Sequence, residues 1–501
     1  MSRSILILFL TLLSQSGLFC QVSSQSRLEI PVDTKESQIT LIPNSTNGLY
    51  VIRKLNNGLK NNSLWKITAV DTSLLILWEK QFLMDRDFII QDYDRTEGNT
   101  YILFNHSSNR KENILLNIDF TKKDTQFYRF FNLVPMTINE FKVINDKGSI
   151  IIGGYFNYRP LVVLYNLGTN RPSVLPGYFN TFGTLMELIL NKDNTFEVIV
   201  QNRVDKTTQT RVLKYNSEGL LLNTHTLKES EGFNILNAKM YTSKEGHKFI
   251  SGTYGRNRSL YSQGIFVLKI EDDNKEQNIT HVPFHELNNY FNFYPERRKN
   301  RILDRIDRRK ENNRKIRINY KMIVQNLVEY NNGFQLLCES YYPQYKSINN
   351  GFFYGSNINR SLIFDGYKYT HSLLVTFDKN GQQQWNHSIP IKNLVKFNLE
   401  PAVKISWQSS RTDMLYLSKN FIHSTSIKDG EIVLKTDTEL TSLHIDDIIK
   451  NSGNTTSEID YWFGNYFISS GIQHIKNYSD SNISHNRAVF YLNKVKVGNG
   501  E

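Results

Sequence analysis

This sequence predicts an all-β fold: a single β-propeller of seven or eight four-stranded antiparallel blades, eight favoured, with a short basic helical insertion. Three observations support it. Runs rich in β-formers, separated by Gly, Asn or Asp turns, recur in groups of four at a spacing of ~40–50 residues, which is the signature of a repeat architecture. Of 501 residues, 30 are Phe and 27 are Tyr, an enrichment that suits pleated surfaces better than helices. No Pro-, Gly- or Ser-rich linker breaks the middle of the chain, as two separate β-sandwiches would require.

The units follow in order along residues 27–497. The first holds NGLYVIRKL, LWKITAV and LILWEKQF, and the second GNTYILFN and ILLNIDF. The third, residues 141–178, is the clearest: FKVIN, SIIIGGYF, LVVLYN and RPSVLPGY read as four successive antiparallel strands joined by tight turns. NTFEVIV with RVLKYN, then GHKFISGTYG with GIFVLKI, make the fourth and fifth. In the sixth, NGFQLLCE precedes LLVTFDKNGQQQWNHSI, a hairpin with a DKNG turn and a second run led by Trp385. DMLYLSKN with EIVLKT gives the seventh, and YWFGNYFISSG with RAVFYLNKVKV the eighth. Each such sheet buries its faces only against its neighbours, so the ring must close, and the spare run RLEIPV at 27–32 is expected to complete the last blade.

The strand, Asp-x-x-Gly-type turn and Trp-led strand at 376–385 resemble the loosely conserved repeats of secreted bacterial β-propeller proteins, including quinoprotein-like and WD-like propellers. That resemblance spans most of the chain as a period, yet the Trp survives only at Trp385 and at Trp78. It implies a fold and transfers no catalytic residue.

Residues 1–21 have a basic residue at Arg3, an apolar run at 5–13 and a polar exit, the layout of a secretory signal peptide. Leu18 and Phe19 suit a lipoprotein signal poorly, so the expectation is cleavage near 20–24 and release to the periplasm, the cell surface or the medium. No later stretch has the ~18 apolar residues of a spanning helix. With Cys20 and Cys338 as the two cysteines, a processed chain has no internal disulfide, and Cys338 reads as a buried structural thiol. A monomer is expected.

The formal charge is +12, of which +7 falls in residues 296–317, leaving the body mildly basic. That segment reads as a helix with Ile302, Leu303 and Ile306 on one apolar stripe, and with Arg297, Arg298, Arg301, Arg305, Arg308 and Arg309 available to an anionic partner. In a four-stranded blade the second-to-third connections and the blade crossings share one face. Here that face receives the long excursions, 254–264, 341–370, 471–486 and the insertion 285–319 between blades five and six. Loops on a rigid scaffold are where recognition usually resides. The candidate binding residues there are Tyr158, Arg159, Arg203, Tyr254, Arg256, Arg258, Tyr354, Arg360 and Arg487.

Chemistry is sparse. Pro283 separates His281 from His285 and argues against a helical metal pair, and Glu97 replaces the glycine that a calcium loop at Asp92 and Asp94 would want. No nucleotide-binding loop, nucleophile elbow or His-Glu-x-x-His motif occurs, so no catalytic residue, metal or cofactor is assigned. Nucleic acid is a poor partner for an exported chain. The expectation is a noncatalytic binding or scaffold protein taking a protein or a glycan, anionic or neutral. The competing reading is a glycan hydrolase or lyase with acid and base residues around the central channel.

Overall fold

A computed structural model describes residues 22–32, 36–55, 60–144, 148–177, 181–204, 207–228, 232–270, 279–348, 361–408, 411–450, 457–479 and 485–498. They form eight antiparallel sheets arranged as an eight-bladed propeller. Blades 1 to 5 begin with the inner strands Glu36–Pro43, Phe88–Arg95, Thr137–Ile144, Gly183–Leu190 and Phe233–Thr242. Blades 6 to 8 begin with Lys321–Val324, Lys404–Gln408 and, after the short strand Ile448–Lys450, Ser457–Phe463. The third blade has the four strands that its sequence implies.

The ring is closed by the N-terminal strand Val22–Pro31, which pairs from Val22↔Val497 to Pro31↔Val489 as the outermost strand of blade 8. It is longer than RLEIPV because Val22 is itself buried against Val497 and its neighbours. Charge locks the closure. Arg487 bridges Glu29, at 3.1 Å, and Asp447, at 2.7 Å, with all three side chains largely shielded from water.

Turn chemistry explains why the third-to-fourth connections are short. At Asp71, Asn216 and Asp378 the side-chain oxygen accepts the main-chain N–H groups two and four residues on, which closes the turn without outside help. On the opposite face, hereafter the crossover face, the chain departs from the expectation of long loops. Much of 341–370 is an extended ribbon, Gly333–Ile348 paired with Ser361–Phe377. Cross-strand aromatic pairs, Tyr341 with Tyr367 and Tyr345 with Phe364, make the extended pairing favourable.

The insertion carries a sixteen-residue helix, α1, Glu296–Glu311, with Ile306 buried and Ile302 and Leu303 half-buried. Aromatics preceding it fasten it to the ring. Phe284, Tyr290 and Phe291 are buried between blades 5 and 6 with Phe249, Leu336, Cys338 and Leu373, and Asn289 bonds both the side chain and the carbonyl of Asn386. Cys338 has no exposure, and burial pushes its thiol far above the ordinary range, as its packing role demands.

Candidate functional site

Two regions concentrate polar chemistry, the inner wall of the ring and a basin beside α1. On the inner wall, blades 2 to 5 share a β-bulge at the same place in the inner strand, and the residue just beyond it is Asp92, Glu140, Glu187 or Asn237. Bulging turns these side chains toward the next blade. Glu140 accepts the N–H of Leu188 at 2.7 Å, Glu187 that of Met240 at 2.6 Å, and two residues past Asp92, Asp94 accepts Val143 N–H at 2.8 Å. Between blades 6 and 7, Glu339 accepts the N–H groups of Ala402 and Val403. Lysines complete the wall through Lys239 with Glu187, Lys142 with Asp94 and Lys404 with Asp460.

Burial is the dominant influence on these carboxyls. It raises Glu187 and Glu339 to about 7 and Asp92 to about 6, and it raises Glu140 as well. Asp92 and Asp94 sit on the wall of a ring, in the bulged strand Phe88–Arg95 and not in a loop of the kind that holds calcium. Glu140, Glu187 and Glu339 each hold a main-chain donor of the following blade, so their first task is to stitch blade to blade.

The basin lies on the crossover face, where the segment 314–320 runs as a ridge between two troughs. One trough, of about 830 Å³, lies against α1 and is lined by Arg305, Arg309, Arg314, Lys315 and Arg317, with Tyr294 and Tyr320 in its wall. The other, of about 680 Å³, reaches blade 5 and is lined by Arg256, Asn257, Gln263 and His285, with Tyr254 and Phe233 at its base. Arg305 and Arg309 face the same trough because they are one helical turn apart. None of the residues lining either trough is Asp or Glu, and none of these Arg and Lys side chains forms an ion pair among the described residues. Burial lowers the pKa of His285, which keeps it neutral near pH 7, so the charge of the basin comes from Arg and Lys.

The sequence candidates separate accordingly. Arg256, Arg305 and Arg309 line the basin, and Tyr254 is a buried base where an exposed platform was expected. Arg258 is an exposed turn residue with positive φ. Arg159 and Arg203 meet elsewhere on the crossover face at Phe182, whose ring lies 5.4 Å from the Arg159 guanidinium and whose carbonyl accepts the Arg203 main-chain N–H, while Tyr158 is an exposed turn residue with positive φ. Arg487 is committed to the ring closure. Arg298 stacks on Tyr294, and Arg297, Arg301 and Arg308 are exposed on α1. Tyr354 and Arg360 lie outside the described residues. Arg314, Lys315 and Arg317 were not singled out by the sequence, because the helical stripe ends before them and only the fold returns the strap across α1.

Asp85, Asp87 and His106 also approach one another. The Asn109 N–H donates to His106 Nδ1, which places the imidazole proton on Nε2, facing Asp85 at 3.8 Å, where a cation would need a lone pair. Asp85 instead accepts the main-chain N–H of Asp87, and Asp87 accepts the Ser108 hydroxyl. No helix among the described residues is long and apolar enough to cross a membrane.

No family model matches this chain, and no curated protein matches its sequence. Solved structures do share the architecture. A europium-containing methanol dehydrogenase is 9% identical with a TM-score of 0.46, over 95% of this chain and 93% of that one. A polysaccharide lyase, Uly1, is 9% identical with a TM-score of 0.42, over 95% and 100%. The Dos1 propeller is 11% identical with a TM-score of 0.39, over 82% and 95%. These likenesses concern the propeller alone.

Proposed function

We propose that this chain is an exported, monomeric, noncatalytic binding protein that captures an acidic glycan in the basin beside α1. One observation carries this reading: six cationic side chains, Arg256, Arg305, Arg309, Arg314, Lys315 and Arg317, line two adjoining troughs without a carboxylate among them. Guanidinium forks match carboxylate and sulfate oxygens in pairs, and two troughs on either side of one ridge suit a chain of charged units better than a single small anion. The buried anchor of α1 holds those charges in place before any ligand arrives, which lowers the cost of binding. Export requires removal of the signal segment before Val22, since a later cut would take away a buried residue of the closing strand.

The test is titration of the full mature chain with polygalacturonate and with chondroitin sulfate, against neutral dextran. Binding of the acidic polymers should weaken steeply with salt and should be lost in an Arg305→Glu, Lys315→Glu, Arg317→Glu variant. Equal binding of dextran, or capture of an acidic protein with no affinity for the glycans, would refute the assignment.

A second reading has one observation in its favour. Asp92, raised to about 6 and close enough to Glu140 and Asp94 to feel their charge, has the proton affinity of a general acid. Cleavage of the bound polymer that disappears on Asp92→Asn would favour it.

A further inference from the structure

The Trp385 hairpin, the most repeat-like stretch of the sequence, takes no part in the crossover face. It lies on the opposite face, where the turns of blades 6 and 7 enclose a notch of about 480 Å³, within the ~300–1,000 Å³ typical of small-molecule sites. Its lining includes the Trp385 indole, with Tyr330 edge-on to that ring at 5.8 Å. Gly430 backs the indole so closely that a Cβ there would meet ring atoms at 3.0 Å. The perpendicular Tyr330 ring and the Gly430 backbone together fix the indole in position.

Blade 1 shows what the same position becomes when it is sealed. Trp78 pairs with Ala69 as Trp385 pairs with Thr376, each beside the same strand bulge. Trp78 packs against Tyr50, which in turn meets Phe120, the first residue past the third strand of blade 2. The corresponding residue of blade 7 is Asp429, in a tight Asp429-Gly430 turn. An aromatic cap has been replaced by a short polar turn. The Trp78 indole nitrogen is consequently buried, whereas that of Trp385 is not among the buried nitrogens and meets no acceptor among the described residues.

Around the indole stand the side-chain amides of Asn331, Asn332, Asn380 and Gln384. Those of Asn331, Asn332 and Asn380 make no hydrogen bond among the described residues, while the Gln384 amide donates to Asp378 Oδ2 and to the Gln382 carbonyl, both at 3.3 Å. Each asparagine amide offers a donor and an acceptor side by side, which is the pattern that adjacent hydroxyl groups require, and Gln384 adds its side-chain carbonyl as an acceptor. The charges nearby, Asp378, Asp429 and Lys379, nearly balance, in contrast to the basin.

We infer that this notch binds a neutral saccharide, one face of its ring stacked on Trp385 and its hydroxyls held by the amides of Asn331, Asn332, Asn380 and Gln384. The site is separate from the basin and does not depend on its charge.

The full mature chain would be titrated with maltose, cellobiose, chitobiose and lactose, followed by saturation-transfer NMR and tryptophan fluorescence. At least one sugar should bind saturably, with strongest transfer to its ring protons. Trp385→Ala should weaken it by about tenfold or more, and Trp385→Phe by less. Asn380→Ala alters an exposed turn side chain and Gln384→Ala an exposed side chain of the strand that follows it, so they test the site even if Trp385→Ala fails to fold, and each should weaken binding several-fold. The basin variant Lys315→Glu should bind unchanged. Absence of binding across the four sugars at millimolar concentration, affinity indifferent to the Asn380 and Gln384 changes, or uptake of tetramethylammonium in place of any sugar would overturn the inference.

Discussion

The inner wall of the ring and the basin beside α1 both carry dense charge, and they use it in opposite ways. Along the wall, Glu140, Glu187 and Glu339 receive main-chain N–H groups from the next blade, and Lys142, Lys239 and Lys404 pair with carboxylates. At the basin, Arg and Lys side chains line two troughs that no acidic residue lines, and Arg309 donates to the Lys315 carbonyl. Charge that is satisfied internally holds the molecule together. Charge that repels its neighbours and remains in place is retained against its own cost, and an external anion relieves that cost.

The contrast can be broken most forcefully at the ring closure. Arg487→Ala leaves Asp447 shielded from water without its cation and Glu29 with Arg27 alone, and the chain should lose about 3 kcal/mol of stability in denaturant titrations. A loss below about 0.5 kcal/mol would show that blade 8 closes by main-chain pairing alone.

Glu187 gives an effect of similar ceiling that pH can dial. Its carboxyl is raised from 4.5 to about 7 in the folded chain, so between those values the folded protein keeps a proton that the unfolded one has released. Its contribution is therefore complete below about pH 4.5 and lost as pH rises through about 7, up to about 3 kcal/mol. Thermal unfolding of wild type and Glu187→Gln, compared from about pH 5 to about pH 8, should show wild type losing ground to the variant as pH rises. A constant gap would mean that Lys239 keeps the carboxylate ionised throughout.

The smallest expected effect sharpens the comparison from the other side. Arg305→Ala and Lys315→Ala remove exposed cations whose side chains have no partner among the described residues, and each should move stability by no more than about 0.5 kcal/mol. A marked gain in stability would measure the repulsion stored in the basin. A marked loss would show that these side chains support the strap.

How much of this was legible in the chain depends on distance along it. The Asx-type turns at Asp71, Asn216 and Asp378 are local devices, and so is the stripe of Ile302, Leu303 and Ile306, which is why both could be read directly. Arg487 looked like a binding residue because its partners, Glu29 and Asp447, are remote in sequence. The polar residues past the inner-strand bulges carried a signal that was there to find, since Asp92, Glu140, Glu187 and Asn237 each stand two positions after an apolar residue, Ile90, Ile138, Leu185 or Ile235, at the same place in four successive units.

The sequence by itself determined the repetition of four-stranded sheets, seven or eight in number, the compact turns and the basic helix, because the strands, turns and helix each follow from residues only a few positions apart. Only the tertiary structure decided which charges are spent. Ring closure sets Arg487 against Glu29, bulges aim carboxylates at the next blade, and the strap after α1 carries Arg314, Lys315 and Arg317 back over Arg305 and Arg309. Whether a charged side chain holds the fold or awaits a partner is fixed by what comes to rest beside it, and that neighbour arrives from far along the chain.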